Sequence, residues 1–162
     1  MMEESKDGKK RMYSAFNSNF EISLRLLILM SHTMRSMDLD EIYIVDFIAT
    51  YARAFSVSEK SINGDNQFMY CEFASRRELV RRALRDLMVM GLVNIKQSER
   101  GLEYIITEEG INTVASLDSD YCRQYKKSVI DVYEHVGKKT AEENINMIRS
   151  MSLSAIRSGE GR

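Results

Sequence analysis

The chain has 162 residues, about one domain, and at that size it can bury roughly 68–70% of its unfolded surface without disulfide or metal. Its 23 basic and 24 acidic residues leave a net charge of −1, which excludes a uniformly basic nucleic-acid binder but not a local basic patch. There is no proline, so Pro-punctuated β folds and polyproline linkers are disfavoured and long helices are favoured.

Residues 1–18 are polar and charged without an apolar core, so they predict a disordered tail rather than a signal peptide. The longest apolar run, Leu26 to Met30, is far short of the ~20 residues of a membrane span. From Asn19 the run through Ile22, Leu24, Leu26–Met30 and Met34 predicts a helix apolar on nearly every side, hence central to a core. Ser36–Asp38 breaks it, and Asp38 suits the N-cap of a second helix over Leu39–Phe55.

Residues 56–73 read as a loop around Asn63-Gly64-Asp65-Asn66. Ser75-Arg76-Arg77-Glu78 has the spacing of a capping box, which predicts the start of a third helix. Gly91 suits the left-handed position just past its end. Period-two alternation over Leu92–Lys96 and Leu102–Ile106, around Ser98–Gly101, predicts a two-strand hairpin. Thr107 would cap the next helix, with Glu108 and Glu109 at its positive end. A break at Ser116–Ser119, a helix ending near Gly137 and a further amphipathic helix complete the chain.

That order is the order of a winged helix-turn-helix domain, mainly α with a small β-hairpin and additional C-terminal helices. The expected boundaries are a tail at 1–18, the winged-helix domain at 19–117, a helical extension at 118–157 and a second disordered tail at 158–162.

The third helix carries Arg76, Arg77, Arg81, Arg82 and Arg85, of which Arg77, Arg81 and Arg85 form one outward row flanked by Arg82. With Lys96 and Arg100 of the hairpin, Ser75–Arg100 holds seven basic and three acidic residues, a local charge of +4. Arginine forks suit phosphate, and such a row can straddle a groove. Met88 and Val89 on the outward side suit a protein interface instead, where Arg and Met are enriched. Glu78 and Asp86 are spaced to form intrahelical ion pairs. Protein docking ranks first, DNA contact second and plain surface third.

Eleven methionines are present. Met30, Met34 and Met90 read as core, whereas Ile145, Ile148, Met151, Leu153 and Ile156 read as a face for a second subunit, slightly ahead of packing at home. No catalytic motif, metal spacing or cofactor fingerprint is evident. Cys71 and Cys122 are too far apart in sequence for either role, and His32 and His135 stand alone. The expectation is a cytoplasmic, non-enzymatic protein with no cofactor, no membrane contact and no small-molecule substrate.

The run Phe20–Met30 with the Leu39–Val45 helix start, the stretch Arg77–Leu84, and Met90–Val93 with Tyr104–Gly110 resemble the small middle components of bacterial ABC-three-component systems. The resemblance covers roughly residues 18–135. It implies an accessory subunit between an SMC-like ABC ATPase and an effector such as a nuclease, as in Lamassu-type defence against phages and plasmids. The alternative is a stand-alone winged-helix DNA-binding transcriptional regulator.

Overall fold

The computed structural model describes residues 18–66 and 68–160, so most of the expected N-terminal tail lies outside the described residues. Within them are six helices and a three-stranded antiparallel sheet: α1 (Asn19–Thr33), β1 (Met37–Asp38), α2 (Leu39–Thr50), α3 (Met69–Val89), β2 (Val93–Ser98), β3 (Gly101–Ile106), α4 (Glu108–Ala115), α5 (Asp120–His135) and α6 (Ala141–Glu160).

Several ends follow their sequence signals. Ser18, Asp38, Thr107 and Ser119 each accept a backbone N–H of the following first turn, capping α1, α2, α4 and α5. At the end of α3, Gly91 has φ +77°. The Leu92 N–H donates to Leu87 C=O at 2.9 Å and the Gly91 N–H to Met88 C=O at 3.0 Å, which is the Schellman pairing.

The central helix is as expected. α1 packs against α2, α3, α4, α5 and β3, and Ile22 together with Leu26 to Met30 is buried. The apolar faces of α2, α3 and α5 close around it. Tyr125, Val129 and Val132 of α5 are fully buried in the same core as Leu26 and Leu84. Packing therefore runs across position 117.

Five expectations need correction. The third helix begins at Met69, six residues before the apparent capping box. Ser75 lies inside it and donates its hydroxyl to Glu72 C=O. The reason is aromatic packing: Phe73 sits 4.8 Å from the Phe47 ring between centroids, so helix is worth extending back to bury it. No side chain caps α3; Asn66 Oδ1 instead accepts the Phe68 N–H at 2.9 Å in the turn that leads into it.

The second helix ends at Thr50 rather than Phe55. Turns follow, closed by Val57 N–H to Ala52 C=O at 2.9 Å, with Ser56 at φ +55°. The expected break at Ser36–Asp38 also forms a third strand, since Met37 pairs with Tyr104 and Asp38 with Glu103. Finally, α6 runs on to Glu160, so the predicted tail at 158 is helical as far as 160. Of the methionines read as core only Met30 is buried; Met34 and Met90 are exposed.

The deepest charges were not expected at all. Asp46 of α2 is fully buried and accepts Arg25 Nε at 2.8 Å, Arg76 Nη1 at 2.6 Å and the Tyr125 hydroxyl at 2.8 Å. Arg25 also donates to the Tyr121 hydroxyl at 3.3 Å. Arg76 lies 3.6 Å from Glu72, which in turn accepts Asn66 Nδ2 at 2.9 Å and the Tyr51 hydroxyl. One carboxylate thus ties α1, α2, α3 and α5 together. Burial alone would raise the Asp46 pKa, but the two guanidiniums outweigh it and hold the group at about 2.

Candidate functional site

α3 and the hairpin enclose an open groove of about 520 Å³. Three helix turns place Arg77, Arg81 and Arg85 along one wall, with Met88 at its end. The opposite wall is the hairpin, through Leu102, Tyr104 and Arg100 at the turn. The start of α2 closes one side with Asp38 and Asp40. The register explains the aliphatic wall: Ile95 opposes Tyr104 and Gln97 opposes Leu102, so they share one face of the ladder with the buried Val93–Ile106 pair. At the tip that face leaves the core, and Ile95 and Leu102 are exposed.

The arginines are less free than the sequence suggests. Arg77 Nε donates to Asp40 Oδ1 at 3.0 Å. Arg81 grips both Glu78 oxygens, at 2.9 and 2.8 Å, and Arg82 Nε lies 3.5 Å from the same carboxylate. The Arg81 hydrogen bonds hold the Glu78 carboxyl below its usual range. Asp86, expected to pair within its helix, instead accepts Asn19 Nδ2 of α1. Among the described residues, Arg85, Lys96 and Arg100 make no ion pair.

The groove gathers Arg77, Arg81, Arg85, Arg100 and Met88 of the residues singled out from sequence. It does not gather the rest. Arg76, counted with the basic helix, is buried on Asp46. Lys96 opposes Glu103 on the other face of the hairpin. Arg82 is exposed outside the groove, and Val89 is 83% exposed beyond it. On α6, Ile148 is buried in the chain's own core, with Ile145 half-buried against it and Met151 half-buried further along. That face therefore packs at home at least through Ile148, while Leu153 and Ile156 are exposed. Asp40, Leu102 and Tyr104 were missed as groove residues. The alternation of Leu102 and Tyr104 in the hairpin was the available signal.

A family model describing Middle Component 2 of ABC-three component (ABC-3C) systems matches residues 15–158. The chain belongs to that family. The match extends past Gly137 and takes in α6 almost entire. A search of curated proteins and one of solved structures found no match. As a middle component the protein is one part of a multi-component system, and other subunits are its partners. No described helix is long and apolar enough to cross a membrane.

Proposed function

We propose that this middle component is a non-catalytic, cytoplasmic accessory subunit that bridges an SMC-like ATPase to an effector, in the manner of Lamassu-type defence, and that the α3–hairpin groove is its docking face. The observation that carries the reading is the groove's mixed chemistry. Arg77, Arg81 and Arg85, with Met88 on the same helix, face Leu102, Tyr104 and Arg100 of the hairpin, and Asp40 and Glu78 already neutralise part of the charge. A DNA-reading face gains most from unopposed cations, whereas arginine beside aromatic and aliphatic groups is the composition of a protein interface. The element order α1–β1–α2–α3–β2–β3, with β1 paired to β3, supports the winged-helix reading of the body.

Co-expression with the ATPase and effector of the same system should give a stoichiometric complex on gel filtration. Arg81→Glu with Arg85→Glu should weaken assembly at least about tenfold, since breaking close charge pairs at an interface costs about 2–5 kcal/mol. Lys96→Glu, on the other face, should leave it unchanged. Subunits that elute separately at micromolar concentration refute the reading. Assembly that survives the double reversal while defence is lost would assign the groove to DNA.

The second reading, a stand-alone DNA-binding regulator, is favoured by Arg85, Lys96 and Arg100, which make no ion pair among the described residues. With about three phosphates neutralised, log K against log[salt] should fall with a slope of roughly −2.7 for the isolated protein. A salt-independent affinity, or none, rejects it.

A further inference from the structure

Tyr70, Phe73, Arg77, Arg81, Arg85 and Met88 follow one another three or four residues apart along α3, so they share one face about 27 Å long. From Arg77 to Met88 that face is a wall of the groove. Its first turn belongs to another cavity. Tyr70 and Phe73, with Ile148, Arg149, Ser152 and Leu153 of α6, line an apolar hollow of about 280 Å³.

Groove and hollow adjoin at Tyr43 of α2. The Tyr43 ring packs on Phe73 at 5.6 Å between centroids. Its phenol is raised first by burial and then by Asp40, while Arg77 and Arg149 act the other way. Arg77 lines the groove and Arg149 the hollow, so one hydroxyl stands within reach of both cavities. The two form a single valley, walled by the hairpin at the Met88 end and by α6 at the Tyr70 end.

The valley is basic in its middle and apolar at its ends. Arg77, Arg81 and Arg85 occupy the middle, with Asp40 and Glu78 offsetting part of their charge. Arg85, Arg100 and Arg149 make no ion pair among the described residues. Leu102 at one end and Leu153 at the other are 56% and 57% exposed although each lines a cavity. Arginines four residues apart on a helix lie about 6 Å apart, the spacing of carboxylates four residues apart on a helix packed alongside. An extended segment fits less well, because it needs a free strand edge to pair with. β3 lies between β1 and β2, and β2, which has the free edge, contributes no described residue to either cavity.

We propose that the valley seats one helix of a partner subunit, about 18–20 residues long, with carboxylates in its middle turns and apolar residues toward both ends. This rests on the docking reading of the groove and joins the α6 hollow to the same interface.

Photo-crosslinking of the co-expressed complex tests it, with p-benzoylphenylalanine at Leu102 or at Leu153, one at each end of the valley. Both should reach the same subunit, at positions within about 20 residues of each other. Crosslinks to two subunits or to distant segments, or crosslinks from Leu102 alone, overturn the single helix and leave the groove a docking face. Crosslinks from neither position, or from Leu102 to DNA only, overturn the docking reading and this proposal together. Leu153→Asp gives an independent measure. The side chain is exposed, so the variant should melt like the parent. Assembly should weaken at least about tenfold, because a carboxylate is set against the partner's apolar end. Ser154→Asp, on the flank of α6 opposite the hollow, should leave assembly unchanged. Unchanged assembly with Leu153→Asp, where Arg81→Glu with Arg85→Glu disrupts it, overturns the proposal and not the docking reading.

Discussion

Asp46→Asn should destabilise the protein by about 3–5 kcal/mol, lowering the melting temperature by roughly 6–20 °C in calorimetry or circular dichroism. The substitution is nearly isosteric, so packing is barely touched. What it removes is the one negative charge between Arg25 and Arg76, both fully buried. Two guanidiniums would then face each other across a neutral amide, with Glu72, 3.6 Å from Arg76, left to offset part of the charge. Replacing the whole set, as Arg25→Met with Asp46→Leu and Arg76→Met, should cost far less than Asp46→Asn alone, because no charge is left stranded. A triple variant less stable than the single one would show that the network earns its place through attraction rather than through avoided burial.

The same group sets an acid response. The Asp46 pKa lies at about 2 in the folded chain against an ordinary 3.8. A folded-state pKa that is depressed contributes stability above the unfolded value and loses it as pH falls through the folded one. The network should therefore hold at pH 5 and weaken between about pH 4 and pH 2. In Asp46→Asn the part of the acid transition in that window should disappear.

Gly110→Ala is the second large effect. A Cβ at Gly110 would stand 2.3 Å from Leu92 C=O and 2.6 Å from Ile106 Cγ1. That carbonyl already accepts the Thr107 N–H at 3.0 Å, so it cannot retreat without breaking the joint between α3, β3 and α4. Overpacking of this kind costs about 1–3 kcal/mol, or roughly 2–12 °C of melting temperature. Because the joint seats the base of the hairpin beside α3, the variant should also weaken any partner that uses the groove. An unchanged melting curve would contradict the close approach of α4 to the hairpin.

The two sets of residues also mark what was legible in the sequence. Asp38, Thr107 and Gly91 act through backbone groups within five residues, so local chemistry alone announced them. The hairpin followed from alternation and a turn. The charge network had no such local sign. Arg25 sits between Leu24 and Leu26, and Asp46 between Val45 and Phe47. A charge set within an otherwise apolar helix was the one available hint, and its partner lies 21 or 30 residues away. Arg76 was further masked by its neighbours. Ser75 and Glu78 imitate a helix start, and Arg77 belongs to the outward row, so Arg76 read as surface although its helical angle turns it inward. The early start of α3 escaped for a related reason: Phe73 joins the helix because Phe47 is waiting for it, and that contact exists only after the chain has folded.

Arg100 sits at the hairpin turn, where its side chain lines both the groove and a second recess of about 340 Å³ floored by Ile44, Val45 and Val132. A guanidinium has five N–H donors, and Arg76 already divides its own between two carboxylates, Asp46 and Glu72. Arg100 is in the same way a wall common to two cavities, so occupants of the two would change each other's affinity by the same factor in either direction, as reciprocity of binding free energies requires. The hairpin turn would then couple the two cavities through a single side chain.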